Sequence, residues 1–161
     1  MNTRLNAVQK LLHRVLMLRQ VTAFFAPRIH LVDSAILRLT SGKYTISSIL
    51  GWNIIQLTTV GAKTNQPRTS PLIGLIDGER IALVASSFGR AHRPGWYHNL
   101  KAHPECSVQW KGRTGNYVAR EAEGDEYDKY WRFAVSSYEG YDKYKERAGR
   151  KIPVMVLEPK S

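Results

Sequence analysis

Cysteine is nearly absent: Cys106 is the only one. An internal disulfide framework and a cysteine-rich metal site are therefore excluded, and a reducing cytoplasm suits the chain. Acidic residues are also scarce, 13 Asp and Glu standing against 24 Lys and Arg for a formal net charge of +11. A field of that sign draws anions, which makes nucleic acid, acidic lipid headgroups and phosphorylated small molecules the partner classes to weigh. Long apolar runs are missing as well. The most apolar N-terminal stretch, 15–25, is broken by Arg19 and Gln20 and lacks the small-residue cleavage pattern of a secretory signal. No Gly-x-Ser-x-Gly elbow or dinucleotide glycine fingerprint is present, so nucleophilic-triad hydrolysis and Rossmann-type cofactor binding drop out. His92, His98, His103 and Cys106 lie near one another without zinc-site spacing, and no metal is expected. Redox chemistry would need a borrowed organic cofactor.

The 161 residues, 43% of them hydrophobic, suit one well-buried core. Leu5, Val8, Leu11, Leu12, Val15 and Leu16 recur at helical spacing, with Gln9, Lys10, His13 and Arg14 opposite, predicting a basic amphipathic helix. A second helix is expected between Pro27 and Gly42. Residues 1–50 are thus an N-terminal amphipathic helical extension and residues 51–161 the main body. In that body β-type runs fall at 54–59, 69–76, 81–86, 106–110, 115–121 and 152–157, with hairpin signals at Asp77-Gly78 and around Gly112. Helices are expected over 94–102 and 125–135, the latter with Tyr127, Tyr130, Trp131 and Ala134 on one face. Strands joined mainly by hairpins predict an α+β fold built on an antiparallel barrel or curved sheet.

Three segments can carry chemistry. The loop from Gly61 to Leu72 holds two cations, several hydroxyls and free amides. Lys63 offers a point charge and Arg68 a bidentate fork, while Thr64, Thr69 and Ser70 add neutral donors, a set that can wrap a phosphate. Its plain alternative is a solvated hairpin. From Val84, Ala85, Ser86 and Ser87 through Gly89 to Gly95, Trp96, Tyr97, His98 and Asn99, a strand ends in small residues and leads into a helix. Small side chains let a flat ring approach the backbone. The alternative is that Trp96, Tyr97 and Leu100 face the core. Tyr138, Tyr141 and Tyr144, at steps of three, predict phenols sharing one helix face, as a wall for a planar ligand or as ordinary packing.

Taken in order, the strings LTTVGAKTNQPRTSPL, LIDGERIALVASSFG, PGWYHNLKAHPE, the tyrosine triplet and IPVMVLEP resemble the deazaflavin-dependent nitroreductase family, split-barrel reductases that use coenzyme F-420. The resemblance spans residues 56–159. It implies that Lys63, Thr64 and Arg68 grip the cofactor's phosphate and acidic tail. It implies further that Ala62, Thr69, Ser70, Pro71, Leu72 and Ile73 edge the groove, and that Val84, Ala85, Ser86 and Ser87 lie beside the deazaflavin. On the other side it implies Gly95, Trp96, Tyr97, His98 and Asn99, with Tyr141 facing the substrate. The chain departs from the family pattern at Ala62, where a second cation is common, and at Asn65, where glycine is common. Gly95 and Ile73 are also unusual, standing where larger residues and, in some members, a tyrosine occur.

The resemblance implies an oxidoreductase passing a hydride from reduced F-420 to an electron-poor acceptor, a quinone, an activated alkene or a nitro compound. Tyr141, Tyr138 and Ser86 are the candidate donors to charge building on the acceptor. Flavin mononucleotide is the alternative cofactor, and a non-catalytic deazaflavin or flavin carrier the alternative role. A homodimer and peripheral contact of residues 1–26 with the inner face of the membrane, beside a lipid quinone, are further expectations. Nucleic acid is disfavoured, because the basic residues are dispersed among acidic ones.

Overall fold

The computed structural model describes residues 52–160, and the two expected N-terminal helices lie outside them. Seven strands follow in chain order: β1 (Ile54–Val60), β2 (Pro67–Ile73), β3 (Leu75–Asp77), β4 (Arg80–Val84), β5 (Glu105–Trp110), β6 (Arg113–Glu121) and β7 (Val154–Pro159). Their order across the sheet is β2-β1-β5-β6-β7-β4-β3. Only Gly74 separates β2 from β3, yet these strands form opposite edges. The sheet must therefore curl until its edges meet, which makes it a split barrel. A Cβ at Gly74 would lie 3.0 Å from Ile55 and 3.2 Å from Ile81, so the bare backbone lets the seam close over the core. The sequence predicts one continuous strand over 69–76; this glycine divides it.

Hairpin chemistry sets the register. Gly78 has φ +63° between β3 and β4, and Lys111 and Gly112 both have positive φ between β5 and β6. Two consecutive left-handed residues match the twist of the flanking strands, so Trp110 pairs with Arg113. The barrel interior is filled by Ile55, Leu57, Ile81, Leu83, Val108 and Leu157, together with Trp96, Tyr97 and Leu100 of helix α1 (Gly95–Ala102). Each such side chain contributes about 1.5–3 kcal/mol by leaving water.

Outside the barrel, α2 (Gly124–Ser137) packs on β3 and β7, and α3 (Gly140–Ala148) packs on α2. The expected face of α2 is the buried one: Tyr127, Tyr130, Trp131 and Ala134. Val154, Met155, Val156 and Leu157 are all buried, because β7 has the barrel on one side and helices on the other. Its sequence accordingly reads as a continuous apolar run.

Candidate functional site

The β1–β2 loop is built around two backbone requirements. A Cβ on Gly61 would collide with the Thr64 hydroxyl, and Asn65 sits at φ 52°, a conformation asparagine tolerates better than most residues. Asn65 therefore meets a backbone demand that glycine would meet most easily. The amide of Gly61 donates to the Gln66 carbonyl (2.9 Å) and that of Asn65 to the Gly61 carbonyl (2.8 Å). The closed loop leaves Ala62, Lys63, Thr64, Arg68 and Thr69 exposed, with Ser70, Pro71, Leu72 and Ile73 half-buried along β2. Among the described residues the ion pairs engage Arg80, Lys101, Arg120, Lys129 and Lys160, and neither Lys63 nor Arg68 meets a carboxylate.

The second segment turns sharply after β4. Ser86 is right-handed helical, and Ser87 (φ 49°), Phe88 (φ 57°) and Gly89 (φ 77°) are left-handed in succession. Left-handed backbone costs a side-chain-bearing residue about 1–2 kcal/mol, a strain that surrounding structure must hold. Two devices hold it. Gly89 presses on the backbone of Tyr144 with no room for a Cβ, and the Arg150 guanidinium donates to the carbonyls of Arg90 (3.3 Å), Ala91 (2.8 Å) and His92 (3.1 Å). Ala85 and Ser86 are buried, Val84 and Ser87 half-buried, and Phe88 is exposed with its ring edge-on to Tyr144. No described residue hydrogen-bonds to the Ser86 hydroxyl.

Tyr138 closes α2, whereas Tyr141 and Tyr144 belong to α3, so the three tyrosines do not share one helix. Their rings still cluster, at centroid separations of 5.7, 5.9 and 6.1 Å. The Tyr138 and Tyr144 hydroxyls hydrogen-bond each other at 3.3 Å. Burial, reinforced by the neighbouring Tyr138, raises the pKa of both Tyr141 and Tyr144 above the usual phenol range, so both stay protonated donors. The Tyr141 hydroxyl has no hydrogen-bond partner among the described residues. Gly140, which the sequence reading did not single out, permits the cluster: the Tyr138 ring lies where a Cβ would stand.

On α1, Trp96 and Tyr97 are core residues, and the Tyr97 hydroxyl donates to Glu121 at 3.0 Å. Gly95 and His98 are exposed and Asn99 is half-buried. Asn99 binds protein at both ends of its amide: Nδ2 donates to the Thr59 hydroxyl (3.0 Å) and Oδ1 accepts from the Ala62 amide (3.0 Å). Among the described residues no three His, Cys, Asp or Glu side chains gather as metal ligands, and no helix is long and apolar enough to cross a membrane.

Residues 32–159 match the model of a family described as F420H(2)-dependent quinone reductase. An F420H(2)-dependent quinone reductase of Mycobacterium tuberculosis is 38% identical over 104 residues, 63% of this chain and 70% of the relative. A solved F420-H2 dependent reductase (FDR-A) superposes with a TM-score of 0.62 at 38% identity, covering 66% of this chain and 94% of that one. A second structure, described as a domain-swapped dimer, gives a TM-score of 0.63 at 36% identity over 74% of this chain and 87% of its own.

Proposed function

The chain belongs to the F420H(2)-dependent quinone reductase family and is an oxidoreductase that uses coenzyme F-420, and from that premise we propose which of its residues hold the cofactor and which meet the acceptor. The observation that carries the assignment is the exposed β1–β2 loop whose two cations, Lys63 and Arg68, meet no carboxylate among the described residues. Cations kept free in a preformed loop suit an external phosphate and an acidic tail, with Thr64 and Thr69 as neutral donors. Small, buried Ala85 and Ser86 leave the backbone accessible to a flat ring, so the donor set and the space fit a phosphorylated deazaflavin.

When bound, coenzyme F-420 supplies the hydride; the chain supplies orientation, a dry wall and hydrogen-bond donors. A quinone is the acceptor class. Tyr141, buried and protonated, donates to the oxygen on which negative charge builds, and Ser86 is the second donor. Tyr138 and Tyr144 fix the Tyr141 ring through edge-on contacts. The half-buried thiol of Cys106 suits a reducing cytoplasmic setting, and pairing of two copies is the assembly suggested by the domain-swapped relative. The basic pattern of residues 1–26 supports contact with an acidic bilayer beside a lipid quinone.

Fluorescence-quench titration with coenzyme F-420, flavin mononucleotide and NADPH, repeated on Lys63→Ala and Arg68→Ala, tests the cofactor grip. Selective F-420 binding, weakened about tenfold in each variant, is expected. Equal affinity in wild type and both variants would sink the assignment. For the acceptor, Tyr141→Phe is expected to lower kcat on a soluble quinone with F-420 affinity unchanged.

A further inference from the structure

The β1–β2 loop is closed by its own hydrogen bonds, and these fix its shape but not its place on the barrel. Outside the β1–β2 hairpin, its one hydrogen bond among the described residues runs from the Ala62 amide to Asn99 Oδ1, across 37 positions of sequence. The Nδ2 of Asn99 donates to Thr59 Oγ1, and that hydroxyl donates onward to the Arg68 carbonyl at 3.4 Å. Asn99 thus touches the residue beside Lys63 directly and the backbone of Arg68 through Thr59. It stands on a helix anchored in the barrel by Trp96, Tyr97 and Leu100, a rigid post for a mobile class of structure.

We propose that Asn99 is a positioning residue: its side-chain amide clasps the phosphate loop to helix α1 and sets the two cations in the posture that receives the cofactor. The inference rests on the loop reading given under Proposed function. It assigns the Asn99 amide to the protein and not to the cofactor. Asparagine is suited because it presents an acceptor and a donor side by side; a leucine of similar volume presents neither. Holding the loop before the ligand arrives removes an ordering cost from binding and leaves the chemical step alone.

Three measurements on the full chain decide it. In the ligand-free protein, hydrogen exchange at the Ala62 amide is expected to accelerate in Asn99→Leu, because that N–H loses its acceptor. Coenzyme F-420 affinity is expected to weaken about tenfold in Asn99→Leu and about threefold in Thr59→Val, with Thr59→Ser behaving as wild type and kcat at saturating cofactor retained. In Asn99→Leu/Lys63→Ala the loss is expected to be smaller than the product of the single losses, since a displaced Lys63 has less to lose. Losses that simply multiply, or Ala62 exchange that does not change, overturn the proposal. If Asn99→Leu does not fold, the Thr59→Val and Thr59→Ser pair carries the test, and equal affinities in that pair overturn it. Should Lys63→Ala and Arg68→Ala bind F-420 as wild type does, the phosphate reading fails, while Ala62 exchange still reports on the clasp.

Discussion

At Gly140 a side chain would have nowhere to go, because the Tyr138 ring occupies its place. Gly140→Ala is expected to swing that ring, break the Tyr138–Tyr144 hydroxyl contact and cost about 1–3 kcal/mol by overpacking, read as a lowered urea midpoint. An unchanged midpoint would mean that the ring has another seat. The tyrosine spacing pointed to a cluster, but the single helix face it predicts joins only Tyr141 and Tyr144, since Tyr138 ends the preceding helix. The glycine's role was not legible, because it arises from Tyr138 folding back from the end of α2, a contact no periodicity encodes. Cys106 obeys simpler physics. It lies on β5 as the sequence suggests, half-buried, and burial pushes its thiol up to about 12. Alkylation by iodoacetamide at pH 8 is expected to be negligible in the native protein and rapid in urea; fast native labelling would contradict the assigned packing.

Among the elements, the strained turn after β4 depends on Arg150, a residue some sixty positions away in sequence whose guanidinium binds only carbonyls there. Lysine keeps the charge but cannot span those acceptors as a planar fork does. Arg150→Lys is therefore expected to loosen residues 90–92 and speed trypsin cleavage after Arg90, followed by gel and mass analysis. Cleavage at the wild-type rate would show that the turn holds itself. The two hairpins were readable because glycine announces positive φ, and the face of α2 because its period is strong. The break at Gly74 and the succession of left-handed residues at Ser87 and Phe88 were hidden, since each is imposed by packing against distant chain. For the same reason Trp96 and Tyr97 could be read either as core or as wall until α1 was seen to fill the barrel.

For the molecule as a whole, closure of the barrel and excess of charge act separately. Between α2 and the sheet, Asp77 meets Lys129 (2.6 Å) and the Tyr130 hydroxyl (3.0 Å), and Arg120 meets Glu126 and, on β7, Glu158. The Lys129 ammonium holds Asp77, and the Arg120 guanidinium holds Glu126, below the ordinary carboxylate range. A carboxyl whose folded pKa is depressed adds stability above its unfolded pKa and loses it as pH falls through the folded value. Thermal stability is thus expected to fall below about pH 4, by a modest amount because these pairs face solvent. Asp77→Asn should flatten that acid limb. The charge of +11 bears on binding instead. Among the described residues neither Lys63 nor Arg68 meets a carboxylate, so the long-range field and the local charge both favour an anionic cofactor. Raising ionic strength from about 10 mM to about 1 M shortens the screening length from roughly 30 Å to roughly 3 Å. F-420 affinity should therefore weaken steadily with salt, and less steeply in Lys63→Ala and Arg68→Ala, while kcat at saturating cofactor holds. If affinity did not change with salt, ring burial would carry binding and the basic loop would serve solubility alone.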